Sequence, residues 1–323
     1  MNSREFVQLF NESPILHELE QELGAGKTRF GIQNSIGSAK SILFTHLQKD
    51  TERSVLVLCN DQEHAEYLYA DLQSFTDHNY VFLWKDSFRR SFDVTLPEST
   101  KIQSKASVLD ALADLDQPKI VVTYPEAFAE RIIQQEVFQK SKLTFKVGEE
   151  VDLDFLIEVL NEYAFYREDF VYEPGQFSIR GGIIDLFSYA SELPFRLELD
   201  GRTIESIREF DPISQLSTKK LVRATIVPNV QETAKNEESA DIFDYLGKKP
   251  IVCTYDLPYA IAKIAKGLEK AEDKAGSATL DVSEERPQVD QIYLDEEQLV
   301  NLLNKKQIIC LLYTSDAADD SLR

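Results

Sequence analysis

The residues nearest to a chemical site are Asn34-Ser35-Ile36-Gly37-Ser38-Ala39-Lys40-Ser41. A phosphate loop of the form G-x-x-x-x-G-K-[ST] uses its glycines to let backbone N–H groups wrap the phosphates. Its Lys meets phosphate oxygen and its hydroxyl meets magnesium. Lys40 and Ser41 stand in place, after a strand-like run from Arg29 to Ile32 and before an apolar helical run from Ile42 to Leu47. Asn34 and Ala39, however, take the two glycine positions, and a Cβ at the second crowds the phosphate path. The loop therefore reads as degenerate, a polar link between strand and helix. Gly24 to Thr28 offers Gly-Lys-Thr, but Gln21 stands where the first glycine belongs and the strand follows rather than precedes it. Asp61-Gln62-Glu63-His64 imitates the acidic box of a helicase. Its second position lacks the Glu, and it comes only one helix after the loop. Asp61 is expected to cap a helix instead. Without a metal-holding carboxylate or an arginine finger, hydrolysis has no assembled site.

Other chemistries are no better served. Cys59, Cys253 and Cys310 lie far apart, with no C-x-x-C pair and no nearby His, so they read as reduced thiols and no metal set is expected. The four histidines are scattered along the chain and no G-x-S-x-G elbow appears. The 323 residues carry 56 acidic against 35 basic side chains, a formal charge of −21 spread along the chain. Such a surface repels phosphate, so nucleic acid would need a local basic patch working against the global field. The opening segment Met1 to Phe10 lacks the apolar core of a signal peptide, and no run reaches the length of a membrane span. The expected location is the cytoplasm, with no membrane partner.

The elements that would position these residues form three groups. From Arg29 to about Gln135, apolar runs at Val55–Cys59, Val81–Trp84 and Ile120–Thr123 alternate with helical patterns. Unbroken apolar runs of this kind mark parallel strands buried on both faces. Leu68, Leu72 and Phe75 share one helical face, as do Ile102, Ala106, Leu109 and Leu112. Pro125 opens a further helix. After about Lys142 a strand (Leu143–Val147) leads into a helix with Phe155, Leu156, Val159, Leu160 and Tyr163 on one face. Strands then follow without helices between them: Gln176–Arg180, Ile183–Phe187, Phe195–Leu199 and Thr203–Phe210. That pattern predicts a small, largely antiparallel α+β domain over 143–227, inserted after an α/β domain over 1–142. From Pro228 the alternation returns, predicting a second α/β portion over 228–309. There Asp241–Leu246, Pro258–Lys270 and Asp295–Leu303 are helical, Ile251–Thr254 is a strand and Glu272–Gln288 is a solvated loop. The run Lys235–Ser239 reads as a surface linker. Residues 310–323, from Cys310 to Arg323, depart abruptly from what precedes them and resemble a translated sequencing adapter. They are expected to cut the strand Gln307–Ile309 in mid-element and to take no part in the fold.

The segment Tyr166 to Phe187, with Arg180-Gly181-Gly182 in it, is followed by Ser191 to Leu199 and Ile204 to Asp211. This ordered series resembles the UvrB-like N-terminal module of the transcription-repair coupling factors. The resemblance implies a helicase-like parallel-sheet domain that has lost its ATPase, as Asn34, Gly37, Lys40 and Ser41 suggest on their own. It implies a non-catalytic module that recruits UvrA through the small domain. The DNA motor, with its ATP and magnesium, and the contact with RNA polymerase belong in the family to downstream domains. It also implies that Arg180 and Arg196 make the UvrA contact. A Phe often follows the second Arg by four residues, and here that position is Asp200. On the residues alone, Ser178 and Arg180 share a strand face and Arg196 lies on a later strand. Two guanidiniums suit forked bonds to partner carboxylates; internal pairing with Asp185 or Glu198 is the competing arrangement.

Overall fold

A computed structural model describes residues 13–33, 35, 37–88, 99–230, 239–277 and 289–312. Asn34, the opening segment Met1–Phe10, most of the run Lys235–Ser239 and the chain beyond Leu312 lie outside the described residues.

The expected apolar runs form a six-stranded, wholly parallel sheet. Its strands are β1 (Arg29–Gln33), β2 (Val55–Leu58), β3 (Val81–Leu83), β4 (Ile120–Thr123), β15 (Ile251–Thr254) and β16 (Gln307–Leu312), in the order β1-β16-β15-β2-β4-β3. All residues of β2, β4 and β15 are buried, as parallel strands covered on both faces require. Helices α1 (Pro14–Gly24), α2 (Ala39–Asp50), α3 (Gln62–Phe75), α4 (Ser99–Leu112) and α8 (Leu257–Ser277) supply the cover. Short helices α5 (Pro125–Phe128) and α6 (Gln135–Lys140) follow β4, and β5 (Ile132–Ile133) pairs antiparallel with β14 (Ser239–Ala240). Leu68 and Leu72 of α3 and Ile102, Ala106, Leu109 and Leu112 of α4 face inward as their spacing predicts. The portion after residue 228 thus closes on the first by threading its strands into the same sheet, between β1 and β2.

The small domain carries a second six-stranded sheet, ordered β12-β11-β10-β9-β8-β7. Its strands are β7 (Tyr166–Arg167), β8 (Gln176–Arg180), β9 (Ile183–Leu186), β10 (Phe195–Asp200), β11 (Thr203–Phe210) and β12 (Ser217–Leu221). All neighbours are antiparallel except β7 and β8. The chain enters and leaves this domain through one antiparallel pair, β6 (Leu143–Lys146) with β13 (Arg223–Ile226), in which Leu143 faces Ile226. Helix α7 (Leu153–Glu162) is capped by Asp152, whose carboxylate accepts from the Asp154 and Phe155 amides.

Several expectations need correction. On α7 only Leu156 and Leu160 are fully buried, with Leu153, Ile157 and Tyr163 packed partly buried beside them, while Phe155 is 64% exposed. Helix α8 runs on to Ser277 through what was expected to be loop. The Ala, Glu and Lys of 270–275 are strong helix formers that outweigh Gly267 and Gly276, each costing at most about 1 kcal/mol. Residues 278–288 are outside the described residues. Finally, β16 does not stop at Ile309. Cys310, Leu311 and Leu312 continue it, paired with Gly31, Ile32 and Gln33 of β1, and Leu311 is buried.

Because β16 lies between two neighbours, a chain ended at Ile309 leaves part of β1 unpaired and uncovers Leu311's site. One buried Leu contributes about 1.5–3 kcal/mol and each lost hydrogen bond about 1 kcal/mol. A chain ending at Ile309 is expected to unfold in urea with about 3 kcal/mol less stability than one ending at Leu312.

Candidate functional site

Register brings the two singled-out arginines to one acid. Ser178 on β8 faces Asp185 on β9, which faces Arg196 on β10, then Arg208 on β11 and Lys220 on β12. These five positions form one row across the sheet, about 4.8 Å per strand. Asp185 is fully buried (0% exposed). Arg196 grips it from the side: Nε donates to Oδ1 at 2.7 Å and Nη2 to Oδ2 at 2.9 Å. Arg180 donates from Nη2 to the same Oδ2 at 2.6 Å, and from Nη1 to the Asp169 carbonyl at 2.5 Å. The hydrogen bonds to Asp185 hold the Arg196 guanidinium above its ordinary pKa, so it stays charged. The internal pairing weighed above is therefore real for Asp185. Glu198 instead accepts from Ser206 Oγ at 2.6 Å and Arg208 Nη2 at 3.1 Å.

Pairing does not hide the arginines. The side chain of Arg180 remains 35% exposed and that of Arg196 15%. Each also lies on an aromatic ring, Arg180 over Phe170 at 4.7 Å and Arg196 over Phe210 at 4.4 Å. Arg196 Nη1 reaches the Gln215 carbonyl at 3.2 Å, and the Gln215 amide in turn reaches the Val171 carbonyl, tying two loops together. Arg180 is aimed by the β8–β9 hairpin. Gly181 turns it with φ +60°, and a Cβ on Gly182 would sit 2.9 Å from the Leu199 carbonyl oxygen. Asp200 lies at the exposed far end of β10, on the same face as Arg196 by alternation and opposite Thr203. Around this acid–base centre Phe170, Tyr172, Ile213 and Leu216 are exposed. Sequence reasoning missed Arg208, Lys220 and Phe170. Alternation along β11 puts Ser206 and Arg208 on one face, but only the register aligns Arg208 with Arg196.

The degenerate loop is differently engaged. Gly37 has φ +57° and α2 begins at Ala39. Ser41 Oγ, fully buried, donates to Asp71 Oδ2 at 2.5 Å, and Ser38 Oγ to Asp71 Oδ1 at 3.1 Å. Lys40 Nζ sits 4.8 Å from the Tyr255 ring centre. The two groups that would meet magnesium and phosphate are thus held by a carboxylate and an aromatic ring. Burial and then Lys40 push the neighbouring His64 below the ordinary histidine range. Asp61 caps α3 as expected, accepting from the His64 amide at 2.8 Å. Burial pushes the Cys59 and Cys253 thiols up, keeping them protonated at neutral pH. Two of the four histidines meet in space, since His17 and His46 both approach Glu20.

The fold defines a helicase-like α/β body carrying a small inserted domain, and residues 143–231 match the UvrB interaction domain family. More particularly, the chain is similar to transcription-repair-coupling factors. It is 30% identical over 227 residues to that of Bacillus subtilis (strain 168) and 28% identical over 220 residues to that of Staphylococcus aureus (strain MRSA252). These matches cover 70% and 68% of this chain, which spans 18% of the length of each relative.

Replacing Asp185 by Ala leaves two cations without their shared acid. Breaking a buried pair costs about 3–5 kcal/mol, so D185A is expected to lose about 3 kcal/mol in urea unfolding. The exposed control D200A should stay within about 0.5 kcal/mol of the parent.

Proposed function

We propose that this chain is a non-catalytic, cytoplasmic module of a transcription-coupled nucleotide-excision repair factor, and that its small domain recruits UvrA to stalled RNA polymerase. The observation that carries the reading is the Arg180–Asp185–Arg196 centre, lying partly open on the sheet face of the segment that matches the UvrB interaction domain. Rigid, half-buried arginines stacked on aromatic rings are the side chains that most often anchor protein interfaces. Asp185 orders them before the partner arrives, which lowers the entropy lost on docking. Asp200 stands where the family often has a Phe, and on this reading exposed Phe170 and Tyr172 supply apolar contact nearby. Contacts with RNA polymerase and DNA, and the ATP and magnesium of a motor, are assigned to parts of the relatives outside the length this chain spans. Among the described residues, no helix is long and apolar enough to cross a membrane.

Arg180→Ala and Arg196→Ala are each expected to weaken UvrA binding by about 30-fold or more, since anchor residues contribute about 2 kcal/mol or more. Calorimetry measures this, with circular dichroism to confirm the fold. R196K, which keeps the charge and loses the fork, should recover only part of the affinity. Unchanged binding by R180A would remove the assignment.

The loop engagement supports a second expectation, that the chain takes no nucleotide. Adding ATP and magnesium should leave its Tm unchanged, and K40A should behave as the parent does. A magnesium-dependent rise in Tm that K40A abolishes would instead make this a nucleotide-driven DNA remodeller.

A further inference from the structure

We propose that the apolar slot between β6 and α7 docks an extended segment of a partner protein, flanked by lysine or arginine, which adds a strand to the free edge of β6. Leu143 and Phe145 of β6, Phe155 and Val159 of α7 and Ile204 of β11 form its apolar walls. Glu149, Glu150 and Asp152 stand along one side, and no described basic residue lines it. The cavity holds about 180 Å³, whereas pockets for whole small molecules run to about 300–1,000 Å³. It fits one anchoring side chain. None of these lining residues belongs to the Asp185 row, so the slot is a separate surface from the face proposed above.

The register of β6 shows which backbone groups are open. Among the described residues β13 is its one ladder partner. The Val147 amide donates to the Val222 carbonyl at 3.1 Å, so by alternation Phe145 bonds across to Ala224 while Thr144 and Lys146 turn their backbone groups to the other edge. At Lys146 that edge is closed: its amide donates to Glu149 Oε2 at 3.1 Å and its carbonyl accepts from the Glu149 amide at 3.2 Å. At Thr144 it is open. No described residue bonds the Thr144 amide or carbonyl, and its side chain turns instead to Thr225, with the two Oγ1 atoms 3.2 Å apart. An extended peptide uses such an edge by pairing its backbone there while an alternate side chain fills the pocket. Phe155, 64% exposed, offers that side chain a wall. Charge decides what flanks the anchor: Lys146 and Arg202 already answer Glu149 and Asp152, but exposed Glu150, Asp154 and Glu158 have no described cation against them. An acidic segment would meet like charge, and a basic one is selected.

The test uses the whole chain and a fluorescein-labelled peptide of sequence Lys-Thr-Val-Leu-Val-Thr-Lys, followed by anisotropy. Saturable binding is expected, weakened about 10-fold or more by F155A and by E150K and unchanged by R196A. Phe155 and Glu150 are exposed, so both variants should fold, which circular dichroism checks. Placing Asp at both Lys positions of the peptide, or N-methylating its three central residues, should each cost about 10-fold as well. No binding by the parent up to about 1 mM, or binding that F155A and E150K leave unchanged, would overturn the proposal. Equal binding of the N-methylated peptide would overturn the added strand. Sedimentation showing a dimer of the parent that F155A disperses would give the slot to a second copy and overturn it equally.

Discussion

A carboxylate with no exposed surface cannot remain charged by itself, and Asp185 is such a carboxylate at the middle of the small sheet. Its two oxygens take three guanidinium hydrogen bonds from strands on either side. The demand fixes more than a salt bridge. It sets which residue of β8 and which of β10 must lie across from β9, and a slip of one residue would turn both arginines to the opposite face. It also fixes the loops, because Arg180 and Arg196 spend their other donors on Asp169 and Gln215 carbonyls. The register, the loop positions and the exposed face are therefore consequences of one buried charge.

A second buried acid shows why Asp185 invites a functional reading. Glu130 is likewise enclosed; burial pushes its pKa up, and its ion pair with Lys105 opposes that shift. Ser87 donates to it through both its amide and its hydroxyl at 2.8 Å. Lys105 lies over Trp84 and is itself buried, so that cluster closes on itself and binds α4 to the sheet. Around Asp185 the same chemistry is left open on one side. A purely structural use would have no need of long cations that reach the surface.

Much of this was legible in the sequence. β4, β8, β11 and β15 occupy the residues that their apolar runs or alternation indicate, and Asp61 and Pro125 start helices where their chemistry predicts. The misses have physical causes. β12, Ser-Thr-Lys-Lys-Leu, is an exposed edge strand, so no buried face imposes a pattern on it. The end of β16 looked foreign by composition, but a central parallel strand asks only for small or apolar residues, and Cys310-Leu311-Leu312 meet that. Of the site, Arg180, Arg196 and Asp185 could be named in advance, whereas Phe170, Arg208 and Lys220 depend on a register and on loops that join residues far apart.

The electrostatics of the face follow from its size. Arg196, Arg208 and Lys220 stand in adjacent strands, spanning roughly 10 Å at ~4.8 Å per strand. That is close to the screening length of about 8 Å at physiological ionic strength. Within that distance the row's own field governs, while farther out an approaching molecule meets a chain of charge −21. A duplex presents its phosphates over a much longer track. Three cations neutralise about three of them, for a salt slope of only about −3, and the rest of the track faces acid. A protein surface with a few carboxylates set at the spacing of the row has no such mismatch. It is drawn in over the last screening length and held in one orientation, which is the use of complementary charge that gives specificity and association rate more than raw affinity.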